Sequence, residues 1–200
     1  MDQERKEPPK LVIFPWPDLF KRAQPIGKFG EELLKLEATL IEAMRYYEGV
    51  GLAACQLLGA GQWQIFVMVD LEDLTKTITI VNPKIKEEGP WIKSPEGCLS
   101  LPGVTGSVMR HEWIRLQYMD TKGNVYDRTF SGFQARVVQH EWSHLLGGTI
   151  YERMDTETRK ANASNLALLV GPYYDCKWLP RHFRRLARNQ THKAHRKTYG

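Results

Sequence analysis

The chain has 200 residues, of which 42% are hydrophobic, and its formal net charge is +5. This length suits one domain with a core of its own, and no stretch approaches the roughly 18 uninterrupted apolar residues of a membrane span. We therefore expect no membrane partner. The three cysteines, at positions 55, 98 and 176, are too few and odd in number for a secreted disulfide framework, so we expect a reducing compartment.

The first half of the chain predicts one helix followed by strands. Residues 1–10 are charged and contain two prolines, which indicates a poorly ordered start. Residues 29–47 carry apolar side chains at helical spacing, and Gly49 ends this helix. Two runs rich in β-branched and aromatic residues, at 63–69 and 77–81, are predicted strands.

The second half predicts a hairpin and then a second long helix. Residues 113–119 alternate apolar with polar side chains, and a turn at 120–124 leads into a strand at 125–130. The helix is predicted over residues 133–146 and stops at Gly147-Gly148. Runs of strands around two helices, without strict alternation, predict an α+β fold.

This second helix contains a His-Glu-x-x-His sequence at residues 140–144. At 3.6 residues per turn, His140 and His144 share one face at roughly 5–6 Å and can bind one metal ion. Glu141, at the edge of that site, could take a proton from metal-bound water and return it to the leaving group. Paired histidines also occur by chance on solvated helix faces, so the motif alone leaves its role open.

A catalytic site of this kind needs a third protein ligand. Cys98 lies in the sequence Glu-Gly-Cys-Leu-Ser at residues 96–100, where neighbouring turn residues suggest a thiolate presented from a loop or strand end. Glu152 is the nearest contender after the helix. A lone intracellular cysteine is often a small buried apolar group, and this alternative stays open for Cys98 alone.

A third segment, residues 49–56, follows the first helix with the sequence Gly-Val-Gly-Leu-Ala-Ala-Cys-Gln. Its glycines allow close approach of the backbone to a ligand, and Gln56 offers an amide donor. By spacing alone the signal is weak, and a tight turn between helix and strand is the alternative.

Together the three segments resemble the signature motifs of the peptide deformylase family, Gly-x-Gly-Leu-Ala-Ala-x-Gln, Glu-Gly-Cys-Leu-Ser and Gln-His-Glu-x-Asp-His-Leu. The first two match in full, and the third has Ser143 where the family usually has Asp. The resemblance spans residues 14–155. It implies sheets surrounding the helix with the two histidines, and a hydrolase that removes the formyl group from the formylmethionine of nascent peptides.

The resemblance also implies a role for each matching residue. Glu141 would be the general acid/base, while Gln56 and the backbone N–H of Leu99 would donate to the developing oxyanion. It favours ferrous iron as the metal, although one thiolate and two imidazoles also suit zinc, nickel or cobalt. The implied metal ligands are Cys98, His140 and His144.

An apolar pocket for the methionine side chain is implied as well. By position, its walls are expected to include Val50, Leu99 and Val137, with a plain core role as the alternative. Backbone groups of Gly51 could pair with the substrate main chain as an added strand.

Three side chains near the motifs carry further expectations. Ser143 should point about 200° away from the base, and an Asp in its place could pair with a neighbouring cation. Arg110 is expected at the surface, with an ion pair to Glu96 as the alternative. Cys55 is expected to pack in the interior, and its oxidation against Cys98 after metal loss is a hypothesis.

Positive charge is concentrated at the C-terminus. Residues 181–200 contain seven Lys and Arg residues and no acid. The positive charge of this segment therefore exceeds the net charge of the whole chain, which is +5. We therefore predict a single catalytic domain over residues 1–180 and a basic extension over residues 181–200. Such an extension suits contact with ribosomal RNA, and a solvated tail without a partner is the alternative.

The compartment is indicated mainly by resemblance. No secretory hydrophobic region is present, and the acidic start is unlike an Arg- and Ser-rich transit peptide. Residues 134–140 and 153–155 resemble organellar deformylases, which implies a mitochondrial location, with bacterial cytoplasm as the alternative.

Two other classes of function stay open at this point. A general zinc peptidase would share the His-Glu-x-x-His helix, but it would cleave unformylated peptides and would not need Cys98. A catalytically silent, ribosome-associated relative would bind metal or nascent chains without turnover, with Ser143 and the basic tail as its support. The combination of Cys98, Glu141 and Gln56 favours the deformylase.

Overall fold

A computed structural model describes residues 9–173, 175–177, 179–181 and 183–185. In this part of the chain, seven strands pair antiparallel with one another. Two long α-helices and three short ones accompany these strands. The predicted α+β fold is therefore confirmed. None of the described helices is both long and apolar enough to cross a bilayer.

The strands form one sheet and one ribbon. Five of them pair in the order β1-β2-β3-β6-β7, while β4 and β5 form a separate two-stranded ribbon. In chain order the strands are β1 (Gly51–Ala53), β2 (Ile65–Val69), β3 (Thr77–Glu88), β4 (Trp91–Gly97), β5 (Thr105–His111), β6 (Trp113–Met119) and β7 (Val125–Ser131).

The first helix, α1 (Glu31–Tyr46), agrees with its prediction apart from its ends. Its apolar side buries Leu40 and Met44 against the sheet. The N–H of Gly49 donates to the carbonyl of Met44 at 2.8 Å, which turns the chain out of the helix and directly into β1. The helix end thus places the Gly-Val-Gly segment at the edge of the sheet.

The second helix, α2 (Gly132–Leu145), is the central element that the resemblance implies. It contacts both edge strands of the sheet, and most of its side chains are buried. The N–H of Gly147, a residue with φ of +78°, donates to the carbonyl of His144 at 3.0 Å. The predicted stop at Gly147-Gly148 is therefore confirmed.

The ribbon and the short helices after α2 were not predicted. The sequence did not predict the ribbon because β4 exposes one face along its whole length and carries polar residues and a proline. This strand therefore lacks a clear apolar alternation. The sequence did not predict the short helices after α2, because each has eight residues or fewer and so shows little helical periodicity. They are α3 (Ile150–Arg153), α4 (Thr156–Ala161) and α5 (Ala163–Val170).

The proposed division at residue 180 stays a prediction. Residues 1–8 and most of the basic extension, including residues 186–200, lie outside the described residues. Within the described part, Phe183 packs against Phe14 and Tyr151 with ring centroids 5.0 Å apart in both pairs. The side chain of Phe183 is buried and therefore belongs to the core.

Candidate metal centre and active site

A cleft of about 430 Å³ opens where the edge of the sheet, the turn after β4 and one face of α2 meet. All three sequence motifs contribute to it. Residues 48–51 and Gln56 form one wall, and residues 95–99 form another. The floor is one face of α2, which presents Phe133, Arg136, Val137, His140 and Glu141 to the cleft.

Three side chains converge at the inner end of this cleft. The ligand atoms of Cys98, His140 and His144 all lie within 4.8 Å of one another, and the Sγ of Cys98 is 3.3 Å from the Nε2 of His144. Cys98 directly follows the end of β4, as expected of a thiolate presented from a strand end. The two histidine rings lie 5.1 Å apart between centroids.

The chemistry of this donor set fits one divalent transition metal ion. Thiolate sulfur and imidazole nitrogen are both ligands of transition metals, and catalytic sites use three protein ligands with one open position. Burial, together with His140 and Arg110, holds the pKa of His144 well below its ordinary value, so this ring is neutral, as a ligand must be. Burial works to lower the pKa of His140, but hydrogen bonds with Cys98 and Glu96 outweigh it and raise the pKa to about 10, so metal binding here would release a proton from His140. Glu152, the other contender, instead accepts hydrogen bonds from the N–H and hydroxyl of Thr149, both at 2.8 Å.

Glu141 lies beside the three ligands with its side chain almost fully buried. Burial raises the pKa of its carboxyl to about 7, which places proton exchange near neutral pH. Its Oε2 has no hydrogen-bond partner in the described part of the chain. A Cβ on Gly51 would lie 2.7 Å from its Oε1, so the glycine makes room for this carboxylate.

Gln56 is buried at the same end of the cleft. Its Oε1 accepts the backbone N–H of Ala53 at 2.9 Å, which fixes the orientation of the amide. The Nε2 then points to the Sγ of Cys98 at 3.7 Å and the hydroxyl of Ser100 at 3.2 Å. An amide donor held next to the ligand cluster is what the sequence predicted, and Leu99 lines the cleft beside it.

Arg110 is not at the surface, so that expectation was wrong. Its side chain is 2% exposed, and its Nε and Nη2 donate to the two carboxylate oxygens of Glu96 at 3.0 and 2.9 Å. Its Nη1 donates to the hydroxyl of Ser143 at 2.7 Å. The buried cation that an Asp at position 143 would meet is therefore Arg110.

Glu96 connects this arginine to the metal ligands. Its Oε2 accepts the Nδ1 of His140 at 3.0 Å. Burial works to raise the pKa of Glu96, but hydrogen bonds from His140 and Arg110 outweigh it and lower the pKa to about 2. An ionised carboxylate on Nδ1 fixes the ring and directs Nε2 toward the other ligands. The only sequence signal for this link was its position in the Glu-Gly-Cys-Leu-Ser motif.

The residues expected around the methionine side chain, Val50, Gly51, Leu99 and Val137, all line the cleft. Val50 is 44% exposed, which excludes the alternative of a core position for it. Sequence reasoning missed Phe133 and Arg136, which share this face of α2. The available signal was helical spacing, because Phe133 lies four residues before Val137 and Arg136 lies four residues before His140.

Cys55 is buried, as expected, and its Sγ lies 3.5 Å from the carbonyl oxygen of His144. Burial raises the pKa of this thiol to about 12, which disfavours the reactive thiolate. Oxidation against Cys98 after metal loss stays a hypothesis.

Comparison with known proteins agrees with this geometry. A family model described as polypeptide deformylase matches residues 8–160. A peptide deformylase of Thermotoga maritima is 37% identical over 151 residues, covering 75% of this chain and 89% of that protein. The chloroplastic/mitochondrial peptide deformylase 1B of Arabidopsis thaliana is 31% identical over 180 residues, covering 90% of this chain and 66% of that protein.

Solved structures show the same likeness. A crystal structure of a plant peptide deformylase has a TM-score of 0.79 and 31% identity, covering 90% of this chain and 98% of that one. The family model spans most of the chain, and the similarity extends from sequence to fold. The chain belongs to the polypeptide deformylase family.

Proposed function

We propose that this cleft hydrolyses the formyl amide of N-formylmethionine at the start of nascent peptides, with Cys98, His140 and His144 as the metal ligands. The family consists of metal-dependent hydrolases that act on this amide. The observation that supports the assignment of residues is the convergence of the three ligand atoms within 4.8 Å, next to a buried carboxylate and a buried amide donor.

Glu141 is the general acid/base in this proposal. When bound, a divalent ion polarises the carbonyl and lowers the pKa of water. Glu141 accepts a proton at Oε2, the oxygen without a partner among the described residues, as water attacks the formyl carbon. The same carboxyl then gives the proton to the departing amine, and its pKa of about 7 suits both directions of transfer.

The oxyanion that forms on the formyl oxygen needs donors already in place. The Nε2 of Gln56 is one, because the bond from Ala53 to its Oε1 prevents the amide from turning. The backbone N–H of Leu99, next to the Cys98 ligand, is the second. Each such donor is worth about 2.7–4 kcal/mol in comparable sites.

The substrate main chain pairs with β1 in this proposal. In the described part of the chain, β1 pairs with β2 alone, and Gly51 lies on its cleft side. A peptide can therefore extend the sheet by one strand. Val50, Leu99 and Val137 would then surround the methionine side chain.

The experiment that tests the proposal is formate release from a formyl-Met peptide. Protein purified anaerobically with Fe(II) should release formate rapidly, and Glu141→Gln should lose this activity while it still binds metal. An unformylated peptide is the control, because a general zinc peptidase would cleave it. Metal-loaded protein that releases no formate would instead indicate the silent relative.

We further propose ferrous iron as the native metal, in preference to zinc, nickel or cobalt. The donor set accepts all four, so the family resemblance is the support. Metal analysis of protein isolated anaerobically from its source, with activity measured after reloading with each ion, tests this assignment.

The basic extension, residues 181–200, is proposed to contact ribosomal RNA. Its seven cations without an acid are the support. Because Phe183 is buried, the deletion that tests this proposal should remove residues 186–200 only. Unchanged affinity and salt dependence of ribosome binding in the shortened protein would contradict the proposal.

A mitochondrial location is proposed, with bacterial cytoplasm as the alternative. One relative is named chloroplastic/mitochondrial, while another comes from the bacterium Thermotoga maritima. Fractionation of the source cells, followed by detection of the protein, decides between the two compartments.

A further inference from the structure

A buried chain of hydrogen bonds leads from Ser143 to the metal site, and its role rests on the proposed assignment of His140 as a ligand. The Nδ1 of His140 donates to Glu96 at 3.0 Å, which leaves Nε2 for the metal. Arg110 holds both oxygens of Glu96. The Nη1 of Arg110 donates to the hydroxyl of Ser143 at 2.7 Å and to the carbonyl of Gln139 at 3.1 Å.

The hydroxyl of Ser143 is matched to this position on both sides. Its oxygen accepts from Arg110, and its proton goes to the carbonyl of Gln139 at 2.7 Å. A carboxylate here could accept from Arg110 but would have no proton for that carbonyl. Ser143 is itself buried, so both bonds lie away from bulk solvent.

The charges of this network cancel. Glu96 contributes one negative charge and Arg110 one positive charge, while Ser143 contributes none. The aspartate usual at this position in the family would add one negative charge to these three residues, whose charged neighbours Glu141 and Arg153 are opposite in sign to each other. The side chains of Glu96 and Arg110 are 8% and 2% exposed, so such a charge would be poorly screened by solvent.

We propose that Ser143 is a positioning residue that fixes Arg110 on Glu96 while keeping this network neutral, and that the site therefore holds a divalent cation less tightly than it would with an aspartate. Groups behind a metal-ligating histidine change metal affinity by about 10–100-fold. A negative charge in a weakly screened interior favours a nearby dication.

Zinc affinity, measured by competition with a chromogenic chelator, tests this inference in wild type, S143D, S143N and S143A. We expect S143D to bind zinc about tenfold more tightly, at the lower end of the range for such groups. S143N has nearly the shape of Asp without its charge, and it should match wild type. S143A should bind several-fold more weakly, because Arg110 loses an acceptor.

The same series contains the results that would overturn the inference. Equal affinities of S143D and S143N would refute the charge argument, and equal affinities of S143A and wild type would refute the positioning role. If S143D does not fold, S143E compared with S143Q tests the charge argument, and S143A compared with S143N still tests the positioning role, since only S143N keeps an acceptor. Failure of wild type to bind one zinc ion, or binding that persists in His144→Ala, would instead refute the ligand assignment.

Discussion

Gly51 determines how closely the backbone of β1 can approach the catalytic carboxylate. A Cβ there would lie 2.7 Å from the Oε1 of Glu141 and 3.0 Å from the Cγ1 of Val137. We expect Gly51→Ala to displace the carboxylate and to lower kcat by about 100-fold, the effect of a misplacement near 1 Å. Deformylation kinetics with equal metal content measure this effect.

Gly27→Ala is the matched control for that substitution. A Cβ on Gly27 would have no heavy atom within 4 Å, so this variant should keep full activity. If both variants are equally active, Gly51 does not position the base.

Gln56 is the second residue whose role can be isolated. Gln56→Leu removes the proposed oxyanion donor, so kcat should fall by about 10²–10³-fold with metal content unchanged. Ser100→Ala removes only the hydroxyl near its Nε2 and should leave most of the activity. A similar loss in both variants would assign the effect to packing around Ser100.

For individual residues, the sequence predicted the chemical roles better than the burial and contacts. Cys98, His140 and Glu141 were found because their chemistry is carried by short motifs. The burial of Arg110 was not found, because it depends on contacts with Glu96 and Ser143, which lie 14 and 33 positions away in the sequence. Only the fold brings these residues together.

Among the elements, α3 packs on β5 of the ribbon, and Gly106 is a point of close approach between them. A Cβ on Gly106 in β5 would meet the side chain of Met154, with its Cγ at 2.6 Å, and Met154 is buried at the end of α3. We expect Gly106→Ala to lower the free energy of unfolding by about 1–3 kcal/mol through overpacking. Urea denaturation measures this change.

A double-mutant cycle provides the control. Met154→Ala alone should cost about 2–5 kcal/mol through the cavity it leaves. In the double variant the new methyl group has space, so the combined loss should be smaller than the sum of the two single losses. Simple additivity would contradict the proposed contact.

The elements that were predicted share a strong local pattern. β6 was predicted with its observed bounds because it alternates apolar with polar residues. β3 was predicted only to residue 81, although it runs to Glu88. Its second half is rich in Lys and Glu and pairs with β6 alone, so no apolar periodicity marks it.

At the scale of the whole molecule, the proposed ligands connect the turn after β4 with the central helix α2. Binding of a metal to the folded state alone should therefore stabilise the fold. Removal of the metal by a chelator should lower Tm by roughly 5–10 °C for a chain of this size, as measured by differential scanning calorimetry. His140→Ala should melt at the same temperature with and without the chelator.

The two sides of the cleft belong to different hydrophobic clusters. Cys98 packs against the cluster that contains Phe14 and Val108, whereas Val137 of α2 belongs to the cluster beneath the sheet. A small separation between these clusters would disperse the catalytic groups while each cluster stayed packed. On warming, the enzyme should consequently lose activity at a lower temperature than that at which its helices and strands melt. The interval between the two temperatures would report how strongly the two clusters are held together.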